Sequence, residues 1–129
     1  MTQVKNKTNQ QLNMVLAELM GYKVRLKGSC YWLVNPTGEE SANPFGRNSE
    51  EIAWTWVPDY CTDPAAILEV QAKALELNYK AYIDHLDEFV NTDELTICSE
   101  PSYRAIASLL LASPRERAEA AYITLQGAR

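Results

Sequence analysis

The sequence predicts an α+β fold in which two to three helices pack on an antiparallel sheet of four to five strands. Three segments begin with helix-capping residues and continue with apolar residues at helical spacing. Between them lie short segments rich in residues that favour strands. Helices kept apart from a run of strands are typical of α+β proteins. At 129 residues and 47% hydrophobic content, we expect one domain over residues 1–129.

The first helix is predicted over residues 8–20. Thr8 and Gln11 have the spacing of a capping box, and Gly21 suits the C-terminal cap. The apolar stripe between these caps consists of Leu12, Leu16 and Leu19. Residues 22–26 and 30–34 follow as two strands joined by a turn at residues 27–29. Residues 35–51 are rich in Asn, Pro, Gly, Ser and Glu, which predicts a long surface loop.

A second helix is predicted from Asp63-Pro64 to Asn78, where a left-handed residue would end it. Its buried face would consist of Ile67, Val70, Ala74 and Leu77. Residues 79–86 could be a strand or an extension of this helix, and the Tyr and Ile residues there favour a strand. Residues 94–98 and 103–112 are predicted as two further strands, separated by a turn.

The last helix is predicted over residues 114–126. Ser113 is its N-cap, Pro114 takes the first helical position and Glu116 completes a capping box. The first helical turn carries partial positive charge, yet this one also holds Arg115 and Arg117. Free backbone N–H groups and guanidinium groups both bind phosphate. The start of this helix is therefore a candidate anion site.

The composition restricts the classes of partner. A net charge of −5 argues against broad binding to DNA, RNA or an anionic membrane. No segment has the roughly 20 apolar residues of a membrane span, and the N-terminus lacks the apolar region of a signal peptide, so we expect a cytosolic protein. Cys30, Cys61 and Cys98 lack zinc-site spacing, and His85 has no nucleophile signature beside it. We expect no metal, no cofactor and no enzyme activity.

A series of motifs resembles the phage ABA-sandwich domain family, small proteins of bacteriophages and prophages. In order, they are Met20-Gly21-Tyr22, Tyr31-Trp32, Trp56-Val57-Pro58, Thr62-Asp63, and Ser113-Pro114 with Arg117-Ala118. The resemblance spans nearly the whole chain. Two parts depart from the family pattern: the loop over residues 35–51 is long, and residues 80–93 match no clear family strand.

The Thoeris anti-defence proteins of phages resemble the same sandwich. They sequester cyclic ADP-ribose signals made by bacterial TIR-domain immune proteins. The resemblance implies that this chain binds such an isomer, for example glycocyclic ADP-ribose, without cleaving it. It also implies a homodimer or higher homo-oligomer in the cytoplasm of the infected host. A second site for cyclic oligonucleotides occurs in some members.

The candidate ligand-binding residues follow from the chemistry of such a ligand. Helix N–H groups and arginines would hold phosphate, an aromatic ring would stack on adenine, and small polar side chains would bind ribose. These residues are Ser113, Arg115, Arg117, Phe89, Asn91, Thr92 and Asp93. Trp54, Tyr82 and Tyr103 are further candidates for the adenine face. Because Arg115 and Arg117 point about 200° apart on a helix, one of them would be structural or would reach a ligand across a dimer interface.

Two other functions remain open from the residues alone. A phage accessory protein that inhibits a host protein would need an exposed aromatic or acidic surface, which residues 53–60 and the negative charge could supply. A phosphodiesterase would need a metal cluster or paired histidines, and the chain has one histidine. As an alternative to ligand binding, each of the two arginines could be a solvated side chain or part of an ordinary ion pair.

Overall fold

The structure is a computed structural model that describes residues 2–40, 49–91 and 103–127. In chain order the elements are α1 (Thr2–Lys5), α2 (Asn9–Met20), β1 (Lys23–Lys27), β2 (Cys30–Val34), α3 (Glu50–Trp54), α4 (Pro64–Val90), α5 (Tyr103–Leu110) and α6 (Pro114–Gly127). The described part of the chain is mostly helical and contains one two-stranded sheet. The predicted fold, with four to five strands, is therefore wrong.

Helix α2 begins and ends at the residues that the sequence indicates. Thr8 and Gln11 form the capping box, each side chain bonding the backbone of the other. Gly21 ends the helix at a φ of 107°, a left-handed conformation that strains residues with a Cβ atom. Leu12 and Leu16 are completely buried. The helix therefore enters the core through the predicted stripe.

The predicted hairpin is also present. Strands β1 and β2 are antiparallel, with Lys23 opposite Val34 and Lys27 opposite Cys30. The turn between them contains Gly28 at a φ of 66°. Of the predicted long loop, residues 50 and 51 belong to α3 and residues 41–48 lie outside the described residues.

Helix α4 begins at Asp63-Pro64 as predicted, but it does not end at Asn78. Asn78 is non-helical, with φ −160° and ψ 83°, and the helix resumes after it. The side-chain oxygen of Asn78 accepts the N–H of Ala81 at 3.1 Å, which caps the second half. Tyr82 and Leu86 then recur at helical spacing and are buried. The strand predicted over residues 79–86 is therefore wrong because core packing overrides the strand propensity of Tyr and Ile.

Residues 103–110 form helix α5, so the strand predicted over residues 103–112 is wrong as well. Its apolar residues recur three and four positions apart, at Tyr103, Ile106, Ala107 and Leu110. This is the period of a helix rather than that of a strand. The strand predicted over residues 94–98 lies outside the described residues.

The core lies between α2, α4 and α6. Helix α6 contributes small residues, and Ala118, Ala120 and Ala121 are completely buried. Small side chains let two helices approach closely, and α4 and α6 form the most extensive helix pair. Ile67 and Val70 of α4 are buried in the same core. This packing places the first turn of α6 beside both α5 and the corner between α1 and α2.

Candidate functional site

The start of α6 has the predicted capping box. The Ser113 hydroxyl accepts the N–H of Glu116 at 3.1 Å, and the Ser113 N–H donates to Glu116 Oε1 at 2.8 Å. The N–H of Arg117 donates to the Ser113 carbonyl at 3.0 Å. Most N–H donors of this first turn are therefore already bonded within the protein and are not available to a phosphate.

Arg115 crosses to the corner between α1 and α2. Its Nη1 donates to Asn9 Oδ1 at 2.9 Å, and its Nη2 donates to the carbonyls of Val4 at 3.1 Å and Lys7 at 2.8 Å. Its Nη2 also lies 3.6 Å from Oε2 of the buried Glu119. Burial raises the pKa of Glu119, while the positive charges of Arg115 and Lys5 oppose that shift. Three of the five guanidinium N–H groups are thus directed at described oxygen atoms.

Arg117 points to the other side of α6, as a spacing of two helical residues requires. Its Nε donates to the Ala112 carbonyl at 3.1 Å and its Nη2 to the Leu110 carbonyl at 3.0 Å. Its Nη1 donates to Gln71 Oε1, which also accepts the Tyr82 hydroxyl. Burial raises the pKa of Tyr82 to about 12, so its hydroxyl stays a donor at neutral pH. Arg117 joins the end of α5 to α4.

The other predicted site residues lie apart from these contacts or outside the described residues. Phe89 is half-buried, and the Lys5 ammonium lies 5.2 Å from its ring centroid. Asn91 donates to Asp87 Oδ1 at 2.7 Å and to the Ala105 carbonyl at 3.2 Å, which attaches α5 to α4. Thr92 and Asp93 are outside the described residues. The structure therefore brings Ser113, Arg115 and Arg117 into one turn without directing them at one point.

The candidates for the adenine face differ in exposure. Tyr82 is buried, and Tyr103 is 92% exposed on α5. Trp54, at the end of α3, is partly buried and lines two adjoining cavities. Trp54 is therefore the candidate with both a supported ring and an open space beside it.

The two cavities, which we call the Trp54 groove, run between α2 and α3. One has a volume of about 540 Å³ and is lined by Thr8, Gln10, Gln11, Met14, Glu51, Ile52, Trp54 and Thr55. The other, of about 390 Å³, shares three of these residues and adds Asn9, Asn13, Val57 and Asp59. Small-molecule sites typically occupy roughly 300–1,000 Å³. The groove is large enough for a nucleotide.

Hydrogen bonds between α2 and the loop that joins α3 to α4 hold one wall of the Trp54 groove. Asn13 Nδ2 donates to Asp59 Oδ1 at 2.9 Å, and Asn13 Oδ1 accepts the N–H of Cys61 at 3.0 Å. Hydrogen bonds from Thr62 and Asn13 hold the pKa of Asp59 below its usual value, so this carboxylate is ionised at neutral pH. Burial raises the pKa of the Cys61 thiol to about 11, which leaves it protonated.

Asn9 connects this side of the groove to the positive charge of Arg115. Asn9 lines the second cavity, and its side-chain oxygen binds the Arg115 guanidinium at 2.9 Å. The groove therefore extends from Trp54 towards Arg115. Sequence reasoning selected Arg115 but missed Asn9, Gln10 and Asn13. The signal was the concentration of side-chain amides in residues 9–13, which the capping box alone does not explain.

Among residues 2–40, 49–91 and 103–127, no group of three His, Cys, Asp or Glu side chains is arranged to hold a metal ion. In the same ranges, no helix combines the length and the apolar character needed to cross a membrane.

The chain was also compared with known proteins. No family model, no curated protein and no solved structure matches it.

Proposed function

We propose that this protein binds a cyclic nucleotide of the cyclic ADP-ribose class and sequesters it without cleaving it. In this proposal it is a phage anti-defence protein that acts in the cytoplasm of the infected bacterium. It captures the signal made by TIR-domain immune proteins before that signal reaches its effector. The class of ligand comes from the resemblance to the phage family.

The observation that supports the proposal most is a fixed guanidinium group whose partner Asn9 lines a cavity of nucleotide size. Arg115 is held by oxygen atoms of Val4, Lys7 and Asn9, and its side chain is 24% exposed. Asn9 lines the adjoining cavity. A guanidinium that is already oriented loses little conformational freedom when it binds phosphate. The positive charge of Arg115 would attract a phosphate placed near Asn9, in competition with the Glu119 carboxylate.

The amides of the groove suit the rest of such a ligand. A cyclic ADP-ribose isomer carries riboses and an adenine besides its pyrophosphate. Side-chain amides and hydroxyls, here Gln10, Gln11 and Thr55, bond to sugar hydroxyls and base edges. Retention of the ligand requires complementary contacts and no nucleophile. The proposal therefore assigns binding and not turnover.

Assembly into a homodimer or larger homo-oligomer is part of the proposal, and α5 offers a surface for it. Tyr103, Ile106, Ala107 and Leu110 form an exposed apolar stripe. Helix α5 has no Asp or Glu, in a chain whose net charge is −5. The net charge opposes association of two copies, whereas two α5 helices bring no carboxylates together. A second copy of this chain is the occupant that we propose for this face.

Ligand retention tests the proposed function. Purified protein is incubated with cyclic ADP-ribose isomers, passed through a desalting column and heated, and the released nucleotide is identified by chromatography. We expect stoichiometric release of the intact isomer. Recovery of a hydrolysis product would identify an enzyme instead. Absence of any nucleotide would overturn the proposal and favour the alternative, a phage accessory protein that binds and inhibits a host protein.

A further inference from the structure

We infer that the Trp54 groove is the base-binding part of the ligand site, with the indole as the stacking surface and the Gln10 amide bonding to the purine edge. This inference rests on the proposed function for the class of ligand. It adds the position and the orientation in which the ligand binds. The base lies at Trp54 and the phosphate lies towards Arg115.

The groove combines a fixed wall with unused hydrogen-bonding groups. Both ends of the Asn13 amide are bonded, to Asp59 and to Cys61. By contrast, the Gln10 amide and the Trp54 indole N–H have no hydrogen-bond partner among the described residues. The Gln11 Oε1 accepts the Thr8 N–H at 2.8 Å, and its NH₂ group donates to no residue in the described ranges. Groups without a protein partner are those that a ligand can bond without breaking the fold.

These groups match a purine base. A Gln or Asn amide can donate and accept simultaneously, which matches the N6 and N7 atoms of adenine. An aromatic side chain beside that amide provides a stacking surface for the face of the same base. Gln10 and Trp54 line both cavities, so a planar ring between them would contact both.

The charges of the groove favour a base over a phosphate in both cavities. Glu51 lines the first cavity and Asp59 the second, and no described Lys or Arg lines either one. These carboxylates repel a phosphate in either cavity, whereas an uncharged base is not repelled. Arg115 lines neither cavity and lies beyond Asn9, to which it is bonded. The groove therefore suits the base, and the phosphate would lie beyond Asn9, towards Arg115.

Binding of adenosine and of a cyclic ADP-ribose isomer, followed by indole fluorescence and by calorimetry, tests this inference. We expect Gln10→Glu and Trp54→Leu each to weaken binding of the isomer about tenfold or more, because each substitution removes one of the two contacts to the base. Trp56→Leu is the control, because Trp56 is 53% exposed and lines neither of these cavities. Its affinity should stay within about twofold, the tolerance expected for a distant surface change.

The outcomes separate this inference from the proposed function. Gln10 is exposed, so Gln10→Glu should fold normally and the test does not depend on the fold of Trp54→Leu. If the isomer binds tightly and neither substitution weakens that binding, the Trp54 groove is not the base-binding site, and the proposed function still stands. Binding of adenosine alone, lost in both variants, would support the base site and overturn the cyclic signal as ligand. No binding of either compound would overturn both.

Discussion

Arg117 joins three parts of the chain through one side chain. Its guanidinium binds the carbonyl of Leu110 at the end of α5, the carbonyl of Ala112 just after it, and the Gln71 side chain of α4. Without it, the carbonyls of Leu110 and Ala112 lose a donor, and the part-buried Gln71 Oε1 loses one of the two donors that it accepts. This side chain therefore contributes to stability whether or not a ligand binds.

We predict that Arg117→Ala lowers the free energy of unfolding by about 2–4 kcal/mol, because hydrogen bonds to charged groups contribute about 1.5–3 kcal/mol each and are not additive. Urea unfolding followed by circular dichroism measures the change. Arg104→Ala, at an exposed position of α5, is the matched control and should stay within about 0.5 kcal/mol of the wild type. Equal stability of the two variants would contradict the structural role of Arg117.

Glu119 is the acidic partner of Arg115 and lies in the core. Because burial raises its pKa in the folded state, ionisation of Glu119 opposes folding. Its favourable contribution is complete below the ordinary carboxyl pKa and is lost as pH rises through the raised value. We predict that Glu119→Gln becomes increasingly stable relative to the wild type from about pH 4 to pH 7.

Urea unfolding at several pH values measures this difference. Glu76→Gln, at an exposed position of α4, controls for the general effect of removing a negative charge. A difference between Glu119→Gln and the wild type that does not change with pH would refute the effect of burial on Glu119.

At the scale of elements, α4 is two helices joined at Asn78. The capping bond from Ala81 to Asn78 begins the second half and allows the change in direction. We predict that Asn78→Ala lowers the free energy of unfolding by about 1 kcal/mol, while Asn78→Asp retains the cap and changes it little. Thermal and urea unfolding of both variants measure this. An Asn78→Ala variant as stable as the wild type would show that packing alone sets the interruption.

Helix N-termini were predictable because capping is local chemistry. The boxes at Thr8 and Ser113 and the Asp63-Pro64 start each lie within four residues, and all three begin helices as expected. Residues 79–86 were predicted incorrectly because Tyr and Ile favour strands intrinsically, whereas here burial of Tyr82 and Leu86 at helical spacing decides. In residues 103–112 the helical spacing of the apolar residues was overlooked in favour of the same strand propensity. The intrinsic strand propensity of a residue does not depend on whether α6 will bury it.

Most of the candidate site was not predictable from local patterns. Arg115 was selected as a phosphate ligand from its place in a helix start, but its bonding partners lie 106 to 111 residues earlier in the chain. No spacing rule connects such positions. The amides of residues 9–13 were visible in the sequence, yet their proximity to Trp54 depends on how α2 and α3 pack.

At the scale of the whole molecule, the apolar stripe of α5 is exposed in the single chain, whereas a monomer would be expected to cover its apolar helix faces. Leu110 is 74% exposed and Tyr103 is 92% exposed. Helices of this kind in soluble proteins normally turn that stripe towards a core. The stripe is therefore the expected contact between two copies.

We predict that Leu110→Glu weakens self-association at least about tenfold. The substitution places one carboxylate from each copy in a contact that excludes water. Sedimentation velocity over a range of protein concentrations measures the association. Leu68→Glu, at a 53% exposed position of α4, is the control and should associate as the wild type does. Equal association of both variants, or a wild type that is monomeric throughout, would exclude α5 as the contact.

The central claim is that the molecule holds a cyclic nucleotide, and calorimetric titration with cyclic ADP-ribose isomers tests it most directly. We predict saturable binding of at least one isomer, with a dissociation constant at or below about 1 μM, equivalent to about −8 kcal/mol. Linear ADP-ribose, titrated in parallel, should bind more weakly because it loses more conformational freedom on binding. Absence of heat with every isomer at several temperatures would contradict the account.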